Sequence, residues 1–332
     1  MTKECLGCGS VLQTIAPKEE GFVKSSVLSK ADYCERCFKI KHYGEYSVLD
    51  KKIDTDGIIR NINSDNLASV AILIEALNIN DNIKKYIKRF KNKKYILITK
   101  KDILPKSLKE KKLIEYIKNN VCDTENIMCI SSVKNYNIDN FLNKIKEDNV
   151  NRLYIVGFTN SGKSTFINHL LTSQMKNPTI TTSAIPNTTA SYITIKLDNK
   201  ITIVDTPGFI DSNAVYNFID YNKTIKLYPK KEIRVKTFQI RSGYSIVIND
   251  ILRIDNLGKC NSFSFYMSDK LRYEKVKFKN EKLKILPSIS IETNECTDVL
   301  VNGLGFIRIT KPGEFKIYAL DEKMISIRKS MI

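Results

Sequence analysis

Residues 157–164 read GFTNSGKS and fit the pattern G-x-x-x-x-G-K-[ST] of a phosphate-binding loop. Backbone N–H groups of such a loop surround phosphate oxygens, and the helix that follows directs its positive end toward them. We expect Lys163 to reach the β- and γ-phosphates of a nucleotide and the Ser164 hydroxyl to ligate Mg²⁺. An apolar run at 153–156 precedes the loop and an amphipathic stretch follows it, whereas a chance glycine-rich turn needs neither. The predicted phosphate contacts are Gly157, Asn160, Ser161, Gly162, Lys163, Ser164, Thr165 and, from a later segment, Gly208.

A second motif, Asp-Thr-Pro-Gly at 205–208, comes about 40 residues after Lys163 and directly follows another apolar run. A carboxylate at the end of a strand can hold the water shell of Mg²⁺ opposite Ser164, and we expect Asp205 to do so through water. The N–H group of Gly208 can turn toward a γ-phosphate. The motif is weak alone, but its distance from Lys163 and the run before it predict that both motifs serve one nucleotide site.

Two polar loops after apolar runs are candidates for binding the base. Thr-Lys-Lys-Asp at 99–102 offers the Asp102 carboxylate, which can accept both N–H groups on the edge of guanine, an edge that adenine lacks. The stem of Lys100 can lie over the plane of the base, and Ser-Ser-Val at 131–133 can donate a backbone N–H to guanine O6. The alternative is a solvated polar loop at the end of a buried strand. The predicted guanine contacts are Thr99, Lys100, Asp102, Ser131, Ser132 and Val133.

The elements that position these loops alternate along the chain. Apolar runs at 70–74, 95–98, 127–130 and 153–156 are each followed by a stretch with polar or helical character. This alternation predicts an open, mostly parallel sheet with helices on both faces. From about residue 225 the pattern changes to short β-like runs, which predicts a separate β-rich domain.

The chain has eight cysteines, and four of them form two Cys-x-x-Cys pairs. The first residues carry an acid and two thiols where a signal peptide has its apolar core, so we expect a cytoplasmic protein in a reducing compartment. Four thiolates can hold one tetrahedral Zn²⁺ without an open position, so the predicted zinc is structural. Redox chemistry of the pairs is the alternative. The predicted zinc ligands are Cys5, Cys8, Cys34 and Cys37.

The order of the motifs indicates the fold. The base-binding loops precede the phosphate loop and Asp205 comes last, whereas an ordinary GTPase has its phosphate loop first. Circular permutation produces this order, because the sheet is kept while the chain is cut between two surface positions. We therefore predict an α/β fold with a circularly permuted P-loop GTPase domain at 51–210. An N-terminal zinc ribbon at 1–50 precedes it, and a β-rich domain at 211–332 that contacts RNA or protein follows it.

The chain is basic, because 54 Lys and Arg outnumber 36 Asp and Glu and give a net charge of +18. Residues 51–210 carry a net charge of +10 and residues 211–332 carry +8, so the excess is not confined to a tail. The charge favours a polyanionic partner, most simply RNA, and codon usage in an AT-rich genome is the alternative. No apolar stretch approaches the ~18 residues that span a bilayer. The candidate RNA contacts are Lys275, Lys277 and Lys279, which would share one face of a strand or else protect its edge.

The chain resembles the YqeH family of circularly permuted zinc-ribbon ribosome biogenesis GTPases in its permuted order of motifs, its two cysteine pairs and its basic β-rich region. The resemblance covers nearly the whole chain and includes DILPKS at 102–107, GLGF at 303–306 and RKSMI at 328–332. It implies a cytoplasmic GTPase that acts on the small (30S) ribosomal subunit during maturation. The chain departs from the family pattern at Thr99 and Asn187, where Asn and Gly are usual.

The resemblance also implies details of hydrolysis. Thr189 of the Pro-Asn-Thr-Thr segment at 186–189 aligns with a further Mg²⁺ ligand of the family. Phe209 stands where many GTPases have a Gln that orients the attacking water. This implies the group of GTPases in which K⁺ assists, with Asn160 as its candidate ligand. Intrinsic hydrolysis is then expected to be slow and to be stimulated by the ribosomal partner.

The segment after Gly208 leads into the C-terminal region, so we expect the nucleotide state to set the pose of the RNA-contacting part. Two other functions stay open at this point. One is a nucleotide-dependent RNA-processing factor, although no catalytic constellation beyond the GTP site supports it. The other is a zinc-containing RNA-binding scaffold with a weakened nucleotide site, which the departures at Thr99 and Asn187 allow.

Overall fold

The computed structural model describes residues 3, 5, 10–17, 19, 21–35, 54–173, 180–184, 191–197, 200–219, 223 and 227–332. The chain divides into two compact units. The first consists of Met1–Glu75, Tyr86–Lys100 and Thr124–Ile210, and the second of Ala76–Lys85, Lys101–Asp123 and Asp211–Ile332. Two stretches from the middle of the chain therefore belong to the same unit as the C-terminal part. The predicted division at 1–50, 51–210 and 211–332 stays a prediction.

Two of the described helices begin at residues whose side chains cap them. The α-helices with described bounds are α1 (Thr55–Ser64), α2 (Asp81–Arg89), α3 (Glu110–Asn120), α4 (Ile138–Glu147) and α5 (Lys163–Ser173). Asp54 caps α1 by accepting the N–H of Gly57 at 2.9 Å, and Asn80 caps α2 by accepting the N–H of Ile83 at 3.0 Å. None of the described helices has both the length and the apolarity that crossing a membrane requires.

The first unit contains a seven-stranded sheet. Its strands are β1 (Ser69–Glu75), β2 (Lys93–Thr99), β3 (Ile127–Cys129), β4 (Arg152–Gly157), β5 (Ile180–Ala184), β6 (Ser191–Leu197) and β7 (Ile201–Asp205). The spatial order is β3-β2-β1-β4-β7-β6-β5. The first five strands of this order are parallel to one another. Strand β6 pairs antiparallel with β7, and β5 pairs antiparallel with β6. Every residue of β1 is buried, as expected of a strand that is covered on both faces. The predicted mostly parallel sheet is confirmed.

The strand order explains how a permuted chain can assemble one site. Strand β4, which leads into the phosphate loop, lies between β1 and β7 in the middle of the sheet. Strands β2 and β3 lie on one side of β1, and β7 ends at Asp205 on the other side of β4. These five strands are parallel, so their carboxyl ends lie at one edge of the sheet, which is where ligands bind in open α/β folds. The candidate loops therefore all begin at this edge.

The first unit is held by an apolar core on the sheet. Phe141 of α4 and Phe166 of α5 are 1% and 0% exposed and belong to one buried cluster with Leu73, Ile155 and Ile203 of the central strands. Because burial of side chains of this size stabilises the fold by roughly 1.5–3 kcal/mol each, the helices that flank the phosphate loop are rigidly placed.

The second unit contains two five-stranded antiparallel sheets. Its strands are β8 (Lys236–Ile240), β9 (Tyr244–Ile248), β10 (Leu252–Asn256), β11 (Asn261–Met267), β12 (Tyr273–Lys277), β13 (Ser288–Thr293), β14 (Thr297–Val301), β15 (Gly305–Ile309), β16 (Gly313–Ala319) and β17 (Ile325–Lys329). The orders are β12-β9-β10-β16-β13 and β17-β14-β15-β11-β8. Ile246 and Ile254 of one sheet share a buried core with Phe263 and Val299 of the other, so the two sheets form a sandwich. The predicted β-rich C-terminal region is confirmed.

Candidate nucleotide-binding site

The phosphate loop connects β4 to α5 through two residues in the left-handed region. Asn160 has φ +66° and Gly162 has φ +86°. Gly157 allows a close approach, because a Cβ there would lie 2.5 Å from Ser161 Oγ and 3.1 Å from the backbone oxygen of Leu73. The loop closes on itself through a 2.9 Å hydrogen bond from the N–H of Ser161 to the oxygen of Phe158. The sequence therefore folds here as the motif predicts, with Lys163 as the first residue of the helix.

Lys163 and Asp205 form a buried ion pair between α5 and the end of β7. Lys163 Nζ lies 2.5 Å from Asp205 Oδ1, and the two side chains are 5% and 0% exposed. Asp205 Oδ2 and Ser161 Oγ are buried without a hydrogen-bond partner among the described residues. A buried polar atom without a partner costs free energy, and a hydrogen-bonding group or a cation beside these oxygens would remove that cost. A phosphate and the water shell of Mg²⁺ supply such partners, so the residues present fit both groups.

Thr99 joins the first base-binding loop to the phosphate loop. Its Oγ1 lies 2.6 Å from the backbone oxygen of Ser161 and 3.2 Å from that of Ile74. Thr99 is 4% exposed and packs beside Gly162, where a Cβ would lie 3.6 Å from the threonine. The hydroxyl is shorter than the usual carboxamide, yet it reaches the loop carbonyl, so the departure from the family pattern keeps this link.

Lys100 and Glu75 form an ion pair at the ends of two neighbouring strands. Lys100 has φ +59°, and its Nζ lies 2.8 Å from Glu75 Oε1. The pair fixes the direction of the lysine stem that is predicted to lie over the base. Asp102 lies in the short 3-10 helix Lys101–Ile103, directly after Lys100 in the chain, and belongs to the second unit.

The second base-binding loop is closed by backbone hydrogen bonds. Ser131 and Tyr136 exchange two of them, at 3.1 and 2.9 Å, and Ser131 Oγ accepts the N–H of Lys134 at 3.2 Å. Ser131 is 1% exposed, whereas Val133 at the tip is 71% exposed. The loop is therefore ordered by its own contacts, and its tip backbone is accessible.

Phe209 is held against the phosphate loop and away from solvent. Its N–H donates to the oxygen of Gly157 at 2.9 Å, and its own oxygen accepts the N–H of Thr159 at 2.7 Å. The ring is 2% exposed and lies 5.7 Å from the ring of Tyr86 and 5.8 Å from that of Phe158, centroid to centroid. A hydrophobic ring has no group that could hold a water molecule by a hydrogen bond, and the expected effect on hydrolysis stays a prediction.

Several predicted site residues lie outside the described residues. These are Thr189, with Asn187 beside it, and the zinc candidates Cys8 and Cys37. Their predicted roles stay predictions.

Cys5 and Cys34, the other two zinc candidates, lie together. Both are 2% exposed, and the N–H of Cys34 donates to Cys5 Sγ at 3.1 Å. The N–H of Cys5 donates to the oxygen of Ser10 at 2.9 Å. Sulfur is a donor atom that structural zinc prefers, so these two cysteines would supply half of the predicted four-thiol set. Among the described residues no group of three or more His, Cys, Asp or Glu is placed to hold a metal ion.

The three lysines predicted to contact RNA lie on or just after β12, which is an edge strand. All three are exposed. Lys275 Nζ donates to the oxygen of Gln239 at 3.0 Å and lies 5.1 Å from the ring centroid of Tyr244, so this lysine also links β12 to β8. Lys277 ends the strand and Lys279 lies beyond it. RNA contact and edge protection both stay predictions.

A buried polar cluster in the second unit was missed by the sequence reasoning. Asn80 Nδ2 lies 3.3 Å from Asn302 Oδ1 and 3.5 Å from Asp211 Oδ2. The three residues are 6%, 0% and 4% exposed, in that order, and the oxygen of Asn302 accepts the N–H of Val215 at 2.8 Å. The partners are separated by 131 and 222 positions in the chain, so no local pattern could have revealed them.

Comparisons with known proteins agree with the geometry of the site. A family model described as 50S ribosome-binding GTPase matches residues 152–260, which include the phosphate loop and Asp205. The uncharacterized protein YqeH of Bacillus subtilis (strain 168) is 27% identical over 365 residues, covering 99% of each chain. GTPase Der of Karelsulcia muelleri (strain GWSS) is 29% identical over 234 residues, which cover 64% of this chain and 51% of Der. The chain thus spans about half the length of that relative.

Among solved structures, the crystal structure of GNP-bound YlqF from T. maritima is 23% identical, with a TM-score of 0.33. The match covers 49% of this chain and 59% of that chain. The family match and the full-length similarity to YqeH confirm the resemblance that the motifs predicted. The chain has a P-loop GTPase domain in a mixed α/β sheet, together with β-rich C-terminal sheets.

Proposed function

We propose, from the full-length relationship to the YqeH family of GTPases, that this chain is a GTP-binding and GTP-hydrolysing switch. It assists maturation of the small (30S) ribosomal subunit in the cytoplasm. The observation that carries the proposal is the phosphate loop, in which buried Lys163 and Asp205 meet at 2.5 Å beside a base-binding loop tied to Ser161. The buried oxygens beside this ion pair lack partners within the described part of the chain, and such a cost supports a working nucleotide site over a scaffold that has lost one.

Guanine is selected by hydrogen bonding at the edge of the base. In the proposal the Asp102 carboxylate accepts the two N–H groups of that edge, and a backbone N–H in 131–133 donates to O6. The stem of Lys100, directed by Glu75, covers the face of the base. An adenine edge leaves the Asp102 carboxylate and the loop N–H without partners, and that penalty supports the choice of GTP over ATP.

The phosphates are held by the loop, by Lys163 and by Mg²⁺. Ser164 and Thr189 would ligate the metal directly and Asp205 would bind it through water, while Gly208 would donate to the γ-phosphate. When bound, Mg²⁺ neutralises charge that develops on the phosphate oxygens. Phe209 cannot orient the attacking water, so we expect slow intrinsic hydrolysis that a K⁺ ion near Asn160 or a ribosomal partner accelerates.

The nucleotide state is transmitted through the residues after Gly208. Phe209 is hydrogen-bonded to the phosphate loop, and two residues later the chain enters the second unit at Asp211. Asp211 belongs to the buried polar cluster with Asn80 and Asn302. A rearrangement at Gly208 would therefore pull on Asp211, three positions later, which is hydrogen-bonded inside the β-rich unit. This short connection supports a switch that changes the pose of that unit.

The remaining partners follow from charge and thiol chemistry. The net charge of +8 on residues 211–332 suits ribosomal RNA, with Lys275, Lys277 and Lys279 as candidate contacts. Cys5, Cys8, Cys34 and Cys37 would hold a structural Zn²⁺ that organises the N-terminal segment and takes no part in hydrolysis.

Nucleotide binding and turnover test the proposal directly. Purified protein should bind GTP at least tenfold more tightly than ATP, and small subunits should stimulate its GTP hydrolysis more strongly in K⁺ than in Na⁺ buffer. Lys163→Ala is the control, since it removes a phosphate contact and leaves the base-binding loops intact. Equal affinity for GTP and ATP, or hydrolysis that Lys163→Ala leaves unchanged, would contradict the proposed function.

A further inference from the structure

The second unit contains a completely buried arginine that serves an exposed loop. Arg253 of β10 is 0% exposed. Its Nε donates to Asp255 Oδ1 at 2.6 Å, its Nη2 donates to Ser245 Oγ at 3.1 Å, and its Nη1 donates to the backbone oxygens of Asn280 and Lys282. A guanidinium leaves water at a high cost unless every nitrogen is bonded, and here each one is. Two of the four acceptors belong to the loop that follows β12.

This loop, residues 278–287, is ordered without helix or strand. Asn280 Oδ1 accepts the N–H of Lys282 at 2.8 Å, and Leu283 adopts φ +62°, a conformation that side chains other than glycine rarely take. The N–H of Phe278 donates to the oxygen of Gly243 at 3.0 Å, and the oxygen of Pro287 accepts the N–H of Ala319 at the same distance. Arg253 holds the middle of the loop, and these two bonds hold its ends.

The side chains that the loop displays are basic, with one apolar tip. Residues 278–287 contain three Lys and one Glu, a net charge of +2. Lys282 pairs with Glu274 at 2.9 Å and Lys284 pairs with Glu281 at 2.9 Å, with both carboxylates more than half exposed. Solvent-exposed pairs of this kind are weak and exchange readily for a phosphate. Ile285 is 95% exposed, the highest exposure among the large hydrophobic side chains of the described residues.

These observations suit an RNA partner better than a membrane or a neutral protein surface. Several lysine ammonium groups on one short loop can each contact a phosphate of a nucleic-acid backbone, and an aliphatic tip can contact a base or a ribose face. A loop that is already fixed loses little conformational entropy on binding. One isolated apolar side chain is too little to insert into a lipid surface.

We propose that residues 278–287 form a preorganised RNA-contact loop, with Lys279, Lys282 and Lys284 as phosphate contacts and Arg253 as the buried positioning residue. The inference rests on the proposed function for the RNA partner, but it assigns the contact to this loop and explains the buried arginine beneath it. Arg253 itself touches no RNA in this account. It acts by fixing the carbonyls of Asn280 and Lys282.

The first test removes the loop charges. Wild type and a Lys279→Gln, Lys282→Gln, Lys284→Gln variant bind purified small-subunit ribosomal RNA in a filter assay across a range of salt concentrations. The loop variant should bind about tenfold or more weakly, and its slope of log affinity against log salt should fall by roughly two to three. The matched control removes the same charge from exposed lysines elsewhere in the second unit: Lys259→Gln, Lys311→Gln and Lys323→Gln. The control variant should lose much less RNA affinity than the loop variant, and its salt slope should fall much less.

The second test separates positioning from charge. In Arg253→Met with Asp255→Val, both members of the buried ion pair become apolar, so no lone charge is left in the interior. This variant should keep its circular dichroism spectrum and its GTP affinity, while trypsin should cut at Lys279, Lys282 or Lys284 several-fold faster. It should also bind RNA several-fold more weakly although every lysine remains. Ile285→Ser should weaken binding with no change in salt slope.

Two results would overturn the loop assignment while leaving the proposed function intact. One is wild-type RNA binding that the loop variant and the control variant reduce equally. The other is a trypsin-sensitive Arg253 variant that binds RNA like wild type, which would make the clamp a purely structural feature. Loss of binding to intact subunits by the loop variant, with no wild-type binding to free RNA, would instead assign the loop to a ribosomal protein. Failure of the proposed function has a different signature, namely the absence of GTP-selective binding and hydrolysis in the wild type.

Discussion

Replacing Thr99 by valine should weaken the link between the base-binding loop and the phosphate loop. Valine has nearly the shape of threonine and lacks only the hydroxyl, which lies 2.6 Å from the oxygen of Ser161 and 3.2 Å from that of Ile74. The hydroxyl has one proton, so it donates to one of the two oxygens at a time, and the shorter contact is the stronger. The substitution leaves the Ser161 oxygen buried with one donor fewer.

The size of the effect follows from this burial. Thr99 and Ser161 are 4% and 3% exposed, and a buried acceptor that loses its donor costs about 1–3 kcal/mol. The free energy of unfolding should fall by that amount. Because GTP must then reorder a loosened phosphate loop, the same free energy is lost from binding. The GTP affinity should fall by roughly 5–150-fold.

Thr99→Ser is the matched control, because it keeps the hydroxyl and removes only a methyl group. Titration with a fluorescent GTP analogue and urea unfolding should be run on both variants and on the wild type. Thr99→Ser should bind close to wild type and Thr99→Val clearly more weakly. If the two variants have the same affinity and the same stability, the hydroxyl does not hold the loop and the reasoning is refuted.

Three further outcomes are expected. Asp102→Asn should weaken GTP binding and favour xanthosine triphosphate, whose edge offers an acceptor in place of a donor; unchanged GTP affinity would show that Asp102 does not bind the base. The protein should carry one zinc per chain by atomic absorption, and Cys34→Ser should lose it and unfold the N-terminal segment while GTP binding survives, whereas Cys260→Ser should do neither. Hydrogen bonds, first from the Tyr95 hydroxyl and then from Lys144, hold the pKa of Asp148 below its usual range. Asp148→Asn should therefore lower the free energy of unfolding by about 1 kcal/mol at pH 7. Because the pKa is lowered by folding, this stabilisation is complete above the unfolded pKa of about 4 and is lost as the pH falls further, so the two proteins should converge in acid denaturation.

The parallel sheet could be predicted from the sequence because its strands are apolar runs that end in loops with recognisable chemistry. The run at 70–74 corresponds to β1, and the phosphate loop fixed both the end of β4 and the start of α5 at Lys163. These features are local, so a single sequence is enough to find them.

The parts that the sequence did not reveal depend on contacts between distant residues. Strand β10 reads Leu-Arg-Ile-Asp-Asn, and its Arg and Asp indicate a solvated segment, yet all five residues are buried. The strand lies in the middle of its sheet, and the 278–287 loop accepts hydrogen bonds from Arg253. The bounds of β13, β14 and β17 are hard to find in the sequence for a related reason, since short strands in a sandwich are defined by their partners. The assignment of 76–85 and 101–123 to the second unit has no sequence signal either.

Co-sedimentation with purified ribosomal subunits shows whether the bound nucleotide controls binding to the small subunit. Small and large subunits are offered separately to the protein with GDP or with a non-hydrolysable GTP analogue, and Lys163→Ala is the control that uncouples binding from nucleotide. We expect the wild-type protein to pellet with small subunits, more strongly with the GTP analogue than with GDP. Lys163→Ala should pellet equally with the two nucleotides. Equal pelleting of the wild type in both nucleotide states, or a preference for large subunits, would contradict the proposed switch.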